Sequence, residues 1–153
     1  MIRIDWAQLC ETAFLDDCDR LCMIGVMTRF PAPQLPIAMR QVMIVVRIAD
    51  VEAEECFSIC VSLLTPSGVS LAPPRGDGFD ITLTAEYIFI TLRDIPLAEE
   101  GLHRFTLAVG KSDPVSIDVP VGLVVNRAMT RHASHNSAST VGQPSWVSGR
   151  QVN

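Results

Sequence analysis

Lysine is almost missing from this 153-residue chain: eleven of its twelve basic residues are Arg, and the remaining one is Lys111. Aromatic residues make up only 6% and charged residues only 19%. With seventeen acids, the formal charge is −5. A nucleic-acid binder usually carries a basic face, so this balance speaks against that class. No apolar run approaches the roughly 18 residues of a membrane span, which speaks against a membrane helix. The opening Met1-Ile2-Arg3-Ile4-Asp5-Trp6 lacks the apolar stretch of a secretory leader. Without a leader, the five Cys read as reduced cytoplasmic thiols.

Catalytic signatures are also missing. Gly76 and Gly78 have no Gly-Lys-Ser/Thr and no helix after them, so they build no phosphate loop. His103, His132 and His135 have no local Ser-His-Asp or Cys-His arrangement around them. The expectation is a chain that is not an enzyme and needs no cofactor.

What is present is alternation. Val42, Ile44, Val46 and Ile48 form one period-two set, and Phe57, Ile59, Val61 and Leu63 another. Phe105, Leu107 and Val109, then Val115, Ile117, Val119 and Val121, repeat it. Successive side chains of a strand leave opposite faces, so each set marks a half-buried strand. Arg20–Phe30 and Asp80–Leu92 are apolar without clean alternation, as in strands covered on both sides. Thr65-Pro66-Ser67-Gly68 is turn chemistry, and Pro31, Pro33 and Pro36 make an extended connector. Seven strands follow, at 2–14, 20–30, 39–49, 56–65, 80–92, 102–110 and 115–125. The fold class is all-β, an immunoglobulin-like or C2-like antiparallel β-sandwich. The body spans 1–125, and 126–153 is a disordered tail.

The first segment is ambiguous from its residues. Trp6, Leu9, Cys10, Ala13 and Phe14 fall at helical spacing, and Asp5 with Gln8 could form a capping box. Gln8–Ala13, an acidic turn, then Leu21-Cys22-Met23-Ile24-Gly25-Val26 resembles the opening of a bacterial family of small uncharacterised proteins. The Val42–Ile48 strand, the Thr65–Gly68 turn and the Leu97–Leu107 segment continue the likeness, over roughly residues 2–121. The resemblance implies a β-sandwich whose first segment is a strand, and it brings no activity or catalytic residue. Where the family has Gly-Lys before its second strand, this chain has Asp19-Arg20.

Two Cys pairs, Cys18/Cys22 and Cys56/Cys60, raise the question of a thiolate metal site. Residues four apart on a strand lie ~13 Å apart, too far to share an ion with Zn–S bonds of ~2.3 Å. Only pairing across strands would leave that site open, and no metal is expected.

The acids suggest a surface. If seven strands alternate in direction, the first, third and fifth connectors share one end of the sandwich. They hold Asp16, Asp17 and Asp19, then Asp50, Glu52, Glu54 and Glu55, then Asp94, Glu99 and Glu100. That end is a candidate docking surface for a basic protein partner, or alternatively a site for a divalent cation or small ligand. The tail, with three Arg and no acid, would leave the last strand at the same end. Its one apolar knob, Trp146-Val147, is a candidate docking motif. The function expected is a cytoplasmic, non-catalytic interaction or structural module. Its partner is an unknown protein rather than nucleic acid or membrane, and a homo-oligomer is compatible with the sequence.

Overall fold

The computed structural model describes residues 2–50, 57–72 and 79–124. Among them no helix occurs, and the strands are β1 (Arg3–Cys10), β2 (Thr12–Leu15), β3 (Leu21–Ile24), β4 (Phe30–Ala32), β5 (Ile37–Ala49), β6 (Ile59–Leu64), β7 (Ser70–Leu71), β8 (Phe79–Leu83), β9 (Tyr87–Leu97), β10 (Gly101–Val109) and β11 (Val115–Leu123). One sheet runs β1-β5-β9-β8, a second runs β4-β11-β10-β6-β7, and β2 and β3 form a separate hairpin. All pairings are antiparallel except that of β4 with β11.

The alternating sets face one another across the sandwich. Val42, Ile44, Val46 and Ile48 of β5 and Ile88, Ile90 and Leu92 of β9 pack against Val61, Leu63, Phe105, Leu107, Val109, Val119 and Val121. Phe57 and Ile59 reach the same core from partly buried positions. Full burial of such a side chain contributes ~1.5–3 kcal/mol, so this row is the main stabilising element.

The first segment is extended, as the resemblance implied. Its helical spacing has another cause. A bulge at Asp5 shifts the β1–β5 register between Ile4 and Trp6. Beyond it, both faces of β1 are covered. Leu9 enters the inter-sheet core, while Cys10 enters a second cluster with Ala13, Val45 and Phe89. That cluster lies on the outer face of the first sheet, under the β2–β3 hairpin. Leu15, Leu21 and Met23 come down onto it from the hairpin, and Trp6, Met43 and Tyr87 come up from the sheet. Tyr87 sits with its ring centroid 6.2 Å from those of both Trp6 and Phe89, within the usual range for aromatic contacts.

Three expected strands divide. The 2–14 stretch breaks at Glu11, whose N–H donates to the carbonyls of Ile24 and Gly25. Gly25 has φ +64, and a Cβ there would lie 2.7 Å from the Glu11 side chain, so this crossing needs glycine. The 20–30 stretch becomes β3 and the start of β4, with Pro31 tolerated in a sheet-edge strand. The 80–92 stretch is a hairpin: Thr84 N–H donates to the Tyr87 carbonyl, and Thr84 Oγ1 accepts from Tyr87 N–H. That extra reversal changes which end every later connector occupies.

Candidate interaction surface

The acids expected at one end fall in four places, and Asp94 lies in no connector but within β9. Asp50 follows β5 beside Arg3, whose Nε lies 3.3 Å from its carboxylate, at the same end as Lys111–Pro114. Glu99 and Glu100 lie at the opposite end. Glu99 Oε1 accepts from Ser67 N–H at 3.1 Å and Ser67 Oγ at 2.6 Å, tying the β9–β10 turn to the β6–β7 turn. Glu100 Oε1 accepts from Leu123 N–H at 2.7 Å. The shared-end expectation therefore fails, because the 80–92 stretch reverses once within itself. The chain leaves β11 beside Glu100, away from Asp50. Glu52, Glu54, Glu55, Trp146, Val147 and the whole 126–153 tail lie outside the described residues.

Asp16, Asp17 and Asp19 occupy the tip of the β2–β3 hairpin. Asp16 Oδ1 accepts from the N–H groups of Cys18 and Arg20, each at 2.9 Å, and Oδ2 accepts from Arg20 Nε at 2.7 Å. The Arg20 guanidinium first, and then these backbone donors, hold the Asp16 carboxyl below its usual range. Ser67 does the same for Glu99. Asp19, Asp50 and Asp94 have φ of 58, 59 and 53. That left-handed region is one that Asp tolerates better than most L residues. Asp19 thus fills the place where the resembling family carries Gly. Of the seven described acids expected on that surface, all but Asp17 are accounted for by turns, backbone hydrogen bonds or left-handed backbone, without a partner protein.

The cysteines also separate. Cys10 is buried, and burial pushes its thiol pKa up. Cys18 and Cys22 lie on the hairpin over the first sheet, whereas exposed Cys60 lies on the second sheet. Pairing of Cys18 or Cys22 with Cys60 is therefore ruled out by the sandwich between them. Cys56 lies outside the described residues. Among the described residues no three His, Cys, Asp or Glu side chains gather as a metal site requires.

Sequence reasoning missed the hairpin's outer face. Thr12 pairs with Ile24 and Phe14 with Cys22, while Ala13, Leu15, Leu21 and Met23 point inward. The outer side chains are therefore Thr12, Phe14, Cys22 and Ile24, with Val26 following. Phe14 is 48% exposed, Ile24 53% and Val26 49%. Acidic Asp17 and Asp19 stand at the tip of this apolar strip. The available signal was the unbroken run Leu21-Cys22-Met23-Ile24: a surface hairpin with one face on the body has no need of apolar residues on the other.

The model of the family of unknown function DUF6941 matches residues 5–122. This chain belongs to that family. The matched span runs from the β1 bulge to the end of β11 and includes the hairpin. No curated protein matches the sequence. Among solved structures, the M1 domain from titin is similar at 15% identity over 55% of this chain and 78% of that one, with a TM-score of 0.30. The Ig1 domain of mouse SynCAM 2 is similar at 14% identity over 60% and 98%, with a TM-score of 0.30. The sandwich assignment for this DUF6941 member rests on its own strand order and core. No helix among the described residues is long and apolar enough to cross a membrane.

Proposed function

We propose that this DUF6941 domain is a non-catalytic interaction module that docks onto another protein through the outer face of its β2–β3 hairpin. The observation that carries this reading is Phe14 and Ile24 standing half-exposed on a hairpin whose inner face is already fully used. Contiguous exposed apolar surface bordered by polar groups marks interaction sites. The chemistry fits a partner with an apolar groove and basic groups at the rim, where Asp17 and Asp19 would sit. The free thiols of Cys18, Cys22 and Cys60 support a reducing, cytoplasmic setting. The alternative, a cation site built from the acidic loops, has less support, because those acids are dispersed and bound into turns.

The test is affinity purification from the native host followed by mass spectrometry, comparing wild type with the Phe14→Ser, Ile24→Ser double variant. The reading expects a protein recovered with wild type and lost from a variant that melts at the same temperature. Equal recovery by both would contradict it.

A further inference from the structure

Among the described edges of the two sheets, three are blunted and one is open. β4 is three residues long and contains Pro31, and β7 is two residues long. β1 carries the bulge at Asp5, and its far end accepts from Met27 N–H through the Leu9 carbonyl. Short strands, Pro and bulges are the usual devices that keep an edge from pairing with another chain. β8, Phe79-Asp80-Ile81-Thr82-Leu83, has none of them: it is five residues long, free of Pro and basic residues, and has no bulge against β9.

The backbone of β8 is directed for pairing. Thr84 N–H points at β9, where the Tyr87 carbonyl accepts it at 2.8 Å. In an antiparallel ladder the residues alternate between facing the partner strand and facing away. Asp80 and Thr82 therefore direct their N–H and C=O groups towards β9, and Phe79, Ile81 and Leu83 direct theirs outward from the sheet. The same three residues share a side-chain face, since side chains repeat every second position. Phe79 packs onto the inter-sheet core, while Ile81 is 37% and Leu83 55% exposed.

We infer that β8 pairs with β8 of a second copy of this chain, antiparallel across a twofold axis at Ile81. This register engages every outward backbone group. Phe79 exchanges both its hydrogen bonds with Leu83 of the second copy, and Ile81 exchanges both with its own counterpart. It extends one apolar row through the junction, Phe79 against Leu83, Ile81 against Ile81 and Leu83 against Phe79. Aromatic and β-branched cross-strand pairs of this kind stabilise sheets. On the other face Asp80 stands opposite Thr82. A register centred on Asp80 would oppose two carboxylates, which is unfavourable. A register centred on Thr82 would leave Phe79 outside the paired stretch. β8 is thus complementary to itself in shape and charge in the one register that uses its whole length. The product is a continuous eight-stranded sheet. Because the twofold axis stands perpendicular to that sheet, both hairpins lie on the same side, and the dimer would engage a repeated or dimeric partner with two sites.

Sedimentation velocity of the full chain up to millimolar concentration tests this. The expected result is a concentration-dependent dimer that becomes monomeric in Ile81→Lys and in Leu83→Lys, both with unchanged melting temperature. A second measurement holds if either Lys variant fails to fold. In a background with Cys10 changed to Ala and the other cysteines to Ser, Ile81→Cys should form a covalent dimer under mild oxidation. Thr82→Cys should not, because two Thr82 Cα atoms would stand two residues out of register, beyond the ~7 Å limit for a disulfide. A wild type that stays monomeric overturns the inference. So does a dimer that survives both Lys substitutions, cross-linking at position 82 instead of 81, or a monomer whose β8 takes up an extended segment of a different protein.

Discussion

Leu9 and Cys10 are adjacent in β1, and neither exposes any surface, yet they serve different cores. Leu9 packs between the two sheets, and Cys10 packs between the first sheet and the hairpin laid across its outer face. A strand can bury consecutive residues only when both its faces are covered. The hairpin supplies that second cover.

The cysteines should report this cover directly. Cys10 is buried with a raised thiol pKa, while Cys18 and Cys60 are exposed. The thiolate is the reactive form, so burial protects Cys10 twice. Native alkylation followed by peptide mass spectrometry should modify Cys18 and Cys60 and leave Cys10 intact until the protein is unfolded. Labelling of Cys10 at the rate of Cys18 would mean that the hairpin does not hold its place.

The β6 register is tested by neighbouring substitutions. Val61 is 8% exposed and packs in the inter-sheet core, while Ser62 faces the other way. Val61→Asp buries a carboxylate with no partner, at a cost of several kcal/mol, against a total stability of ~5–15 kcal/mol. It should yield unfolded or insoluble protein, whereas Ser62→Asp should fold. Circular dichroism and soluble yield decide the comparison, and equal behaviour of the two variants would contradict the register.

Acid stability follows from carboxylates that are held low. Asp16, Glu99 and Asp118 are each depressed, by Arg20, Ser67 and Arg104 respectively. A group with a folded pKa below its unfolded value contributes stability above the unfolded value and loses it as pH falls through the folded one. The melting temperature should therefore hold from neutral pH down to about 4, the ordinary carboxylate range, and decline below it. Ser67→Ala should lower the neutral melting temperature slightly and flatten the acid decline. These groups are solvent-exposed, so each contribution is small and screened by salt.

His103 was placed by the sequence at the start of a strand, but its burial was not visible there. It is 1% exposed, its Nδ1 lies 3.3 Å from the Gly101 carbonyl, and its Nε2 has no hydrogen-bond partner among the described residues. An unsatisfied buried polar atom costs roughly 1–3 kcal/mol. His103→Leu should therefore match or exceed the wild-type melting temperature. A large loss by differential scanning calorimetry would contradict the orphaned position of Nε2.

The inter-sheet core was legible because period-two alternation is a local signal: Val42 to Ile48 and Phe105 to Val109 could be read from spacing alone. The hairpin was not legible, because its inner face packs largely on Met43, Val45, Tyr87 and Phe89, residues on strands far along the chain. The turn at Thr84–Tyr87 was hidden within a run that reads as one apolar strand, since neither Gly nor Pro marks it. Missing that single reversal put Asp50 and Glu99 at the same end. The acids of the candidate surface misled for a related reason. Asp19, Asp50 and Asp94 satisfy a left-handed backbone, a demand that composition does not separate from a demand for charge.

The most direct test of the interaction-module account is site-specific photo-crosslinking in the native host. A benzophenone amino acid is placed at Phe14, at Ile24, or at Asp118 on the far sheet. The account predicts one protein, the same from Phe14 and Ile24, captured at both hairpin positions and not from position 118. Capture of nothing at Phe14 and Ile24, or of the same proteins from all three positions, would contradict it.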